Sequence, residues 1–91
     1  AYNRKVERRI AQIRAANAAD RAKMARSERK SVDRAIASTD KMIQQREATR
    51  SKLSGHQADQ LAVEIRKAKA ERNVLASNRT KLAGYESVAS R

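Results

Sequence analysis

The chain has 91 residues, no cysteine, no proline, and two tyrosines as its whole aromatic complement. The absence of cysteine excludes disulfide and thiolate chemistry, and a formal net charge of +12 with a pI of about 11.1 favours polyanions, namely nucleic acid, an anionic membrane surface or acidic protein. Apolar residues make up 40%, about half of them alanine, and a lone domain of this size buries little apolar surface, so support from partner chains is expected.

From Asn3 to Leu53 there is neither glycine nor proline, and Ala, Arg, Lys, Gln and Glu dominate. These residues favour helix, and the stretch predicts one continuous helix over 3–53, about 75 Å long at 1.5 Å per residue. A softer spot lies at Ala37–Asp40, where Ser38, Thr39 and Asp40 weaken the propensity. Large apolar residues recur at helical spacing: Val6, Ile10, Ile13 and Met24, then Val32, Ile36, Ile43 and Leu53. Polar residues interrupt this seam, which is often how a helical assembly sets its register or oligomeric state. On a helical wheel the opposite side carries Lys5, Arg8, Arg9, Lys23, Arg26, Lys30, Arg34 and Lys41. The acids Glu7, Glu28, Asp33, Asp40 and Glu47 mostly fall away from that stripe. Residues 1–52 hold 15 basic and 6 acidic residues, net +9, against net +3 for the remainder. A stripe of cations with most acids elsewhere suits contact with phosphates in a sequence-independent, salt-dependent way; the competing reading is a solvated face.

Within this arm, "NAADRAKMARSERK" (17–30) invites comparison with the basic region of a leucine zipper, a helix that enters the major groove. The spacing excludes it. Asp20, Arg21, Met24 and Ala25 stand where paired alanines, a small residue and arginine belong, and the heptads beyond it (Val32, Thr39, Arg46, Leu53) do not form a dimerising zipper.

At "LSGHQADQL" the helix is expected to break. Gly55 can take positive φ, and Ser54 with Gln57 has capping-box spacing. A second helix is predicted over 57–83, stopped by Gly84 and followed by a polar tail, 84–91. Its seam reads Leu61, Ile65, Ala68, Arg72, Leu75, Arg79 and Leu82. The chain is thus one all-α, elongated unit, a helical hairpin or coiled coil with a long arm (3–53), a turn (54–56) and a short arm (57–83). The short arm covers only half of the long one. That mismatch predicts that the N-terminal half packs on copies of the same chain or on other helical chains, in an oligomeric bundle or ring.

No catalytic motif, phosphate-binding loop or metal-ligand spacing is present, and neither an enzymatic role nor a cofactor is expected. His56 stands alone, Asp33 with Asp40 or Asp59 with Glu64 read as solvated charges, and "NRT" (78–80) is a chance sequon. No apolar run approaches the roughly 20 residues of a membrane span, and no signal peptide is recognisable. An interfacial helix over 6–19 lacks the Trp, Phe and Leu that anchor such segments. With so few aromatics, a base-stacking platform for single strands is not expected.

The segment "RKVERRIAQIRAANAADRAKMARSERKSVDRAIASTDKMIQQREATRSKL" resembles, in composition and helix length, the Ala/Gln/Arg/Ser-rich helices of small internal virion proteins of short-tailed bacteriophages. The resemblance covers nearly the whole chain and carries no motif. It implies a structural role in a core or ring near the portal, ejection ahead of the genome, and a virion-interior location; outside a virus the expectation is cytoplasmic. The apolar N-terminal segment common in that family is not among these residues, so membrane contact is implied only within an oligomeric conduit. Two alternatives stand beside it. One is a sequence-independent nucleic-acid-binding helical protein, including a ribosomal type; the other is a coiled-coil adaptor subunit of a larger complex.

Overall fold

The computed structural model describes residues 2–89, with side chains to Ser87. They form three helices and, among the described residues, no strand: α1 (Tyr2–Ala15), α2 (Ala18–Arg50) and α3 (Gly55–Ala89). The molecule measures 54 × 18 × 13 Å with a radius of gyration of 16.6 Å, against about 12 Å for a compact chain of this length. Its long axis is set by α2 and α3, of 33 and 35 residues, which lie antiparallel and span about 50 Å each.

The predicted arm 3–53 is therefore two helices. The chain leaves the helix at Ala16–Asn17. Asn17 is the N-cap of α2, with extended backbone (φ −69, ψ 165). Its Oδ1 accepts the Asp20 backbone N–H at 3.0 Å, and its Nδ2 donates to Asp20 Oδ2 at 3.1 Å. A capping side chain of this kind stabilises a helix start by about 1 kcal/mol. The carbonyl of Ala16 accepts from Arg21 Nη2 at 2.9 Å, so the end of α1 is capped as well.

Reversed at this joint, α1 lies along both α2 and α3. Val6, Ile10 and Ile13 enter one cluster with Ala25, Val32, Leu75 and Leu82, flanked by Ala35, Ile36 and Tyr85. The other end of the α2–α3 pair has a smaller cluster, Ile43, Ile65 and Ala68, flanked by Met42 and Leu61. The apolar side of the N-terminal segment is thus covered within the chain. The length mismatch between the two arms, and with it the argument for an external partner, does not hold.

The seam needs one correction. Met24 is 37% exposed, whereas Ala25 and Glu28 are buried. The break at Asn17 resets the helical phase, so a period counted from Val6 does not carry across it. Ile36, Leu53 and Leu61 are half-buried. At the far end, α3 begins at Gly55, which has φ 63, a conformation costing other L-residues about 1–2 kcal/mol. The predicted stop at Gly84 is overridden, since α3 runs on to Ala89. Tyr85 and Glu86 lie in that extra turn and bond Arg14 and Arg29, contacts that outweigh the roughly 1 kcal/mol an interior helical glycine costs. Residues 90 and 91 of the predicted tail lie outside the described residues. No described helix is long and apolar enough to cross a membrane.

Candidate nucleic-acid interface

The acids decide where the positive charge is displayed. On α2, Asp33, Asp40 and Glu47 recur every seven residues and point toward α3. Asp33 Oδ1 accepts from Arg79 Nε at 2.6 Å, Asp40 Oδ1 from Arg72 Nε at 2.9 Å, and Glu47 lies 3.6 Å from Lys69 Nζ. Arg29 completes the ladder, donating to Glu86 at 2.6 Å and to Asp33 at 2.9 Å. These carboxylate bonds hold the Arg29 and Arg72 guanidiniums, already strong bases, still more firmly in the charged form. Arg72 and Arg79, placed in the packing seam by periodicity, sit at its edge in this ladder.

On the α1 side of α2, Glu28 is only 7% exposed. Both its carboxylate oxygens accept from Arg9 Nη1, at 3.2 and 2.9 Å. The neighbouring Tyr2 hydroxyl is held above its usual pKa, chiefly by desolvation and secondarily by the Glu28 charge, against smaller opposing effects of Arg9 and Arg34. Arg9 is thus a bridge between helices, with its charge largely compensated.

The other predicted contact residues are placed differently. Lys5 and Arg8 on α1, and Lys23, Arg26, Lys30, Arg34 and Lys41 on α2, are all exposed. Among the described residues none of them is in an ion pair; Arg34 donates only to the Ser31 hydroxyl, at 3.2 Å. With Asp33, Asp40 and Glu47 turned toward α3 and Glu28 toward α1, the charged residues that α2 exposes from Lys23 to Lys41 are all cations. They are spaced about 5–10 Å apart over about 27 Å. Lys23 stands between two open grooves. One, of about 380 Å³, runs between α1 and α2 beside Arg9, Gln12 and Ser27. The other, of about 630 Å³, runs between α2 and α3 beside Arg26, Arg29 and Glu86. Exposed, unpaired ammonium and guanidinium groups on a rigid helix form a surface that attracts phosphates without an aromatic or amide array to read bases.

The remaining sequence signals dissolve into structure. Asp33 and Asp40 are bound to arginines, His56 is an exposed residue at the start of α3, and Asn78 of the sequon is only 3% exposed, beside Ile10, Ala11 and Arg14 of α1. Among the described residues no three His, Asp or Glu side chains gather to hold a metal ion. Sequence reasoning missed Glu28 and Asn17. The signal for the second was present, since Asn-x-x-Asp ahead of a helical run is a cap pattern. No protein-family model, curated protein or solved structure matches the chain.

Proposed function

We propose that this chain is a non-enzymatic structural protein that lies against the phosphate backbone of nucleic acid through the outer faces of α1 and α2. The observation that carries this reading is the segregation of charge on α2. Its inward acids are consumed by cations of α1 and α3, while Lys23, Arg26, Lys30, Arg34 and Lys41 are exposed and, among the described residues, in no ion pair. An ordinary solvated face would mix both signs. The compositional resemblance to internal virion proteins of short-tailed phages supplies the setting: a basic helical component of the core or portal region, touching packaged DNA, assembling with its own copies or other helical chains, and assisting ejection of the genome. The alternative, a stand-alone nucleic-acid-binding protein of ribosomal type, draws support from α1 being packed within its own chain.

The test is titration of random-sequence duplex DNA with the chain at about 50 and 200 mM salt, repeated with a second duplex of unrelated sequence and with a folded RNA. Contact with about six phosphates predicts a roughly thousandfold loss of affinity between the two salt concentrations, alike for both duplexes. Binding that ignores salt, or that prefers one duplex strongly, contradicts the proposal. Tighter binding to the RNA favours the alternative.

A further inference from the structure

The joint between α1 and α2 differs from ordinary helix-reversing turns. It contains no glycine or proline: the sequence across it is Ile13-Arg-Ala-Ala-Asn-Ala-Ala-Asp20, a run in which most residues favour continuous helix. Only Ala16 and Asn17 leave the helix. The closed joint is held by the Asn17 cap and by Arg21, whose Nη2 donates to the carbonyls of Ala16 (2.9 Å) and Arg14 (3.4 Å). In a straight helix those two carbonyls would receive backbone N–H groups instead. Holding the joint also leaves Arg21 Nε buried with no hydrogen-bond partner, an unsatisfied donor that straightening would release to water.

The contacts of α1 are equally suggestive. It is fastened by Val6, Ile10 and Ile13 in the core, by Arg9 to Glu28, by Arg14 Nε to the Tyr85 hydroxyl (2.9 Å) and by Asn3 Nδ2 to the Glu71 carbonyl (3.5 Å). All of these are side-chain fastenings that a second copy would supply identically. The antiparallel register matters most. Arg9 faces Glu28 about a midpoint close to the joint, so a two-fold axis passing there sets each straightened helix antiparallel to the other and restores the Arg9–Glu28 pairing between copies.

We propose that α1 exchanges between two copies of this chain. Each chain straightens at Ala16–Asn17 into one helix over residues 2–50, about 73 Å long, and lays its first 14 residues into the α2–α3 groove of the other. Exchange of this kind keeps the closed interface and changes only the joint, which makes it a low-cost route to a dimer. The partner is therefore a second copy, and the inference stands independently of any binding to nucleic acid.

Two substitutions push the joint in opposite directions. Asn17→Ala removes the cap and improves the straight helix. Ala18→Pro does the reverse: it places proline at the first position of α2, where its missing N–H is tolerated, and favours the extended backbone that Asn17 already has. It also bars a continuous helix. Sedimentation velocity across about 1–200 μM chain, with circular dichroism to confirm helicity, reads the outcome. Asn17→Ala is expected to tighten dimerisation at least tenfold, since the dimer contains two joints; Ala18→Pro is expected to remain monomeric and fully helical. The Arg9→Cys/Glu28→Cys chain, bridged with a short bismaleimide in its dimer fraction, then gives covalent dimers on a denaturing gel. Bridges closed within single chains of that dimer fraction would overturn the exchange, as would a monomeric Asn17→Ala chain or dimerisation of Ala18→Pro matching the parent.

Discussion

Two glycines that look equivalent in the sequence have opposite demands in the fold. Gly55 has positive φ at the head of α3, whereas Gly84 lies within α3 and a methyl group built on either would meet only open space. Conformation alone therefore separates them. Gly84→Ala should stabilise the protein by about 0.5–1 kcal/mol, and Gly55→Ala should destabilise it by about 1–2 kcal/mol, both read from urea denaturation midpoints. The Arg9–Glu28 bridge has a similar asymmetry. Arg9 is 53% exposed in its side chain and Glu28 9%, so removing the arginine strands a buried carboxylate, while removing the glutamate merely frees a cation to water. Arg9→Ala should cost about 1–3 kcal/mol, and Glu28→Met, which fills the same space with an apolar side chain, distinctly less. Equal losses in the two variants would show that the carboxylate is hydrated in the native state.

At the scale of the elements, helicity was legible over most of the chain, because alanine and long polar side chains dominate and proline is absent. The apolar positions were legible too, with Val6, Ile10, Ile13, Val32, Ile43, Ile65, Leu75 and Leu82 all buried. The reversal at Asn17 was not read from a sequence that lacks a glycine or proline there; it depends on a single cap and on the burial that α1 gains by folding back. Helix α1, with 14 residues, is close to the length below which isolated helices are marginal in water. Its order should hence depend on that docking. Ile13→Ala is predicted to cost about 2–5 kcal/mol, and native-state hydrogen exchange should show α1 losing protection first, with the amides of α2 around Val32 and Ile43 still protected. Simultaneous loss over all three helices would mean that the bundle has no such hierarchy. The extension of α3 past Gly84 was likewise hidden, since it rests on Tyr85 and Glu86 meeting arginines more than fifty residues away in the chain.

For the whole molecule the decisive property is how the excess of +12 is laid out. The cationic stripe was visible on a helical wheel, but its division into bridging and free charges was not. Arg9 belongs to the fold, whereas Lys23, Lys30 and Lys41 are exposed on the outward side of α2 and, among the described residues, in no ion pair. That division needs the positions of Glu28, Asp33 and Asp40 relative to α1 and α3, which no single-helix projection contains. The most direct test compares two charge-matched variants, each losing three cations: Lys23→Gln/Lys30→Gln/Lys41→Gln on α2, and Arg66→Gln/Lys67→Gln/Lys81→Gln on the exposed side of α3. For each, the affinity for random-sequence duplex DNA is measured from about 50 to 200 mM salt. If the outer face of α2 lies on the phosphates, the slope of log affinity against log salt falls by about 3 in the first variant and changes by less than 1 in the second. Equal losses in both variants would mean that binding follows net charge alone, and the assignment of the interface to α2 would be wrong.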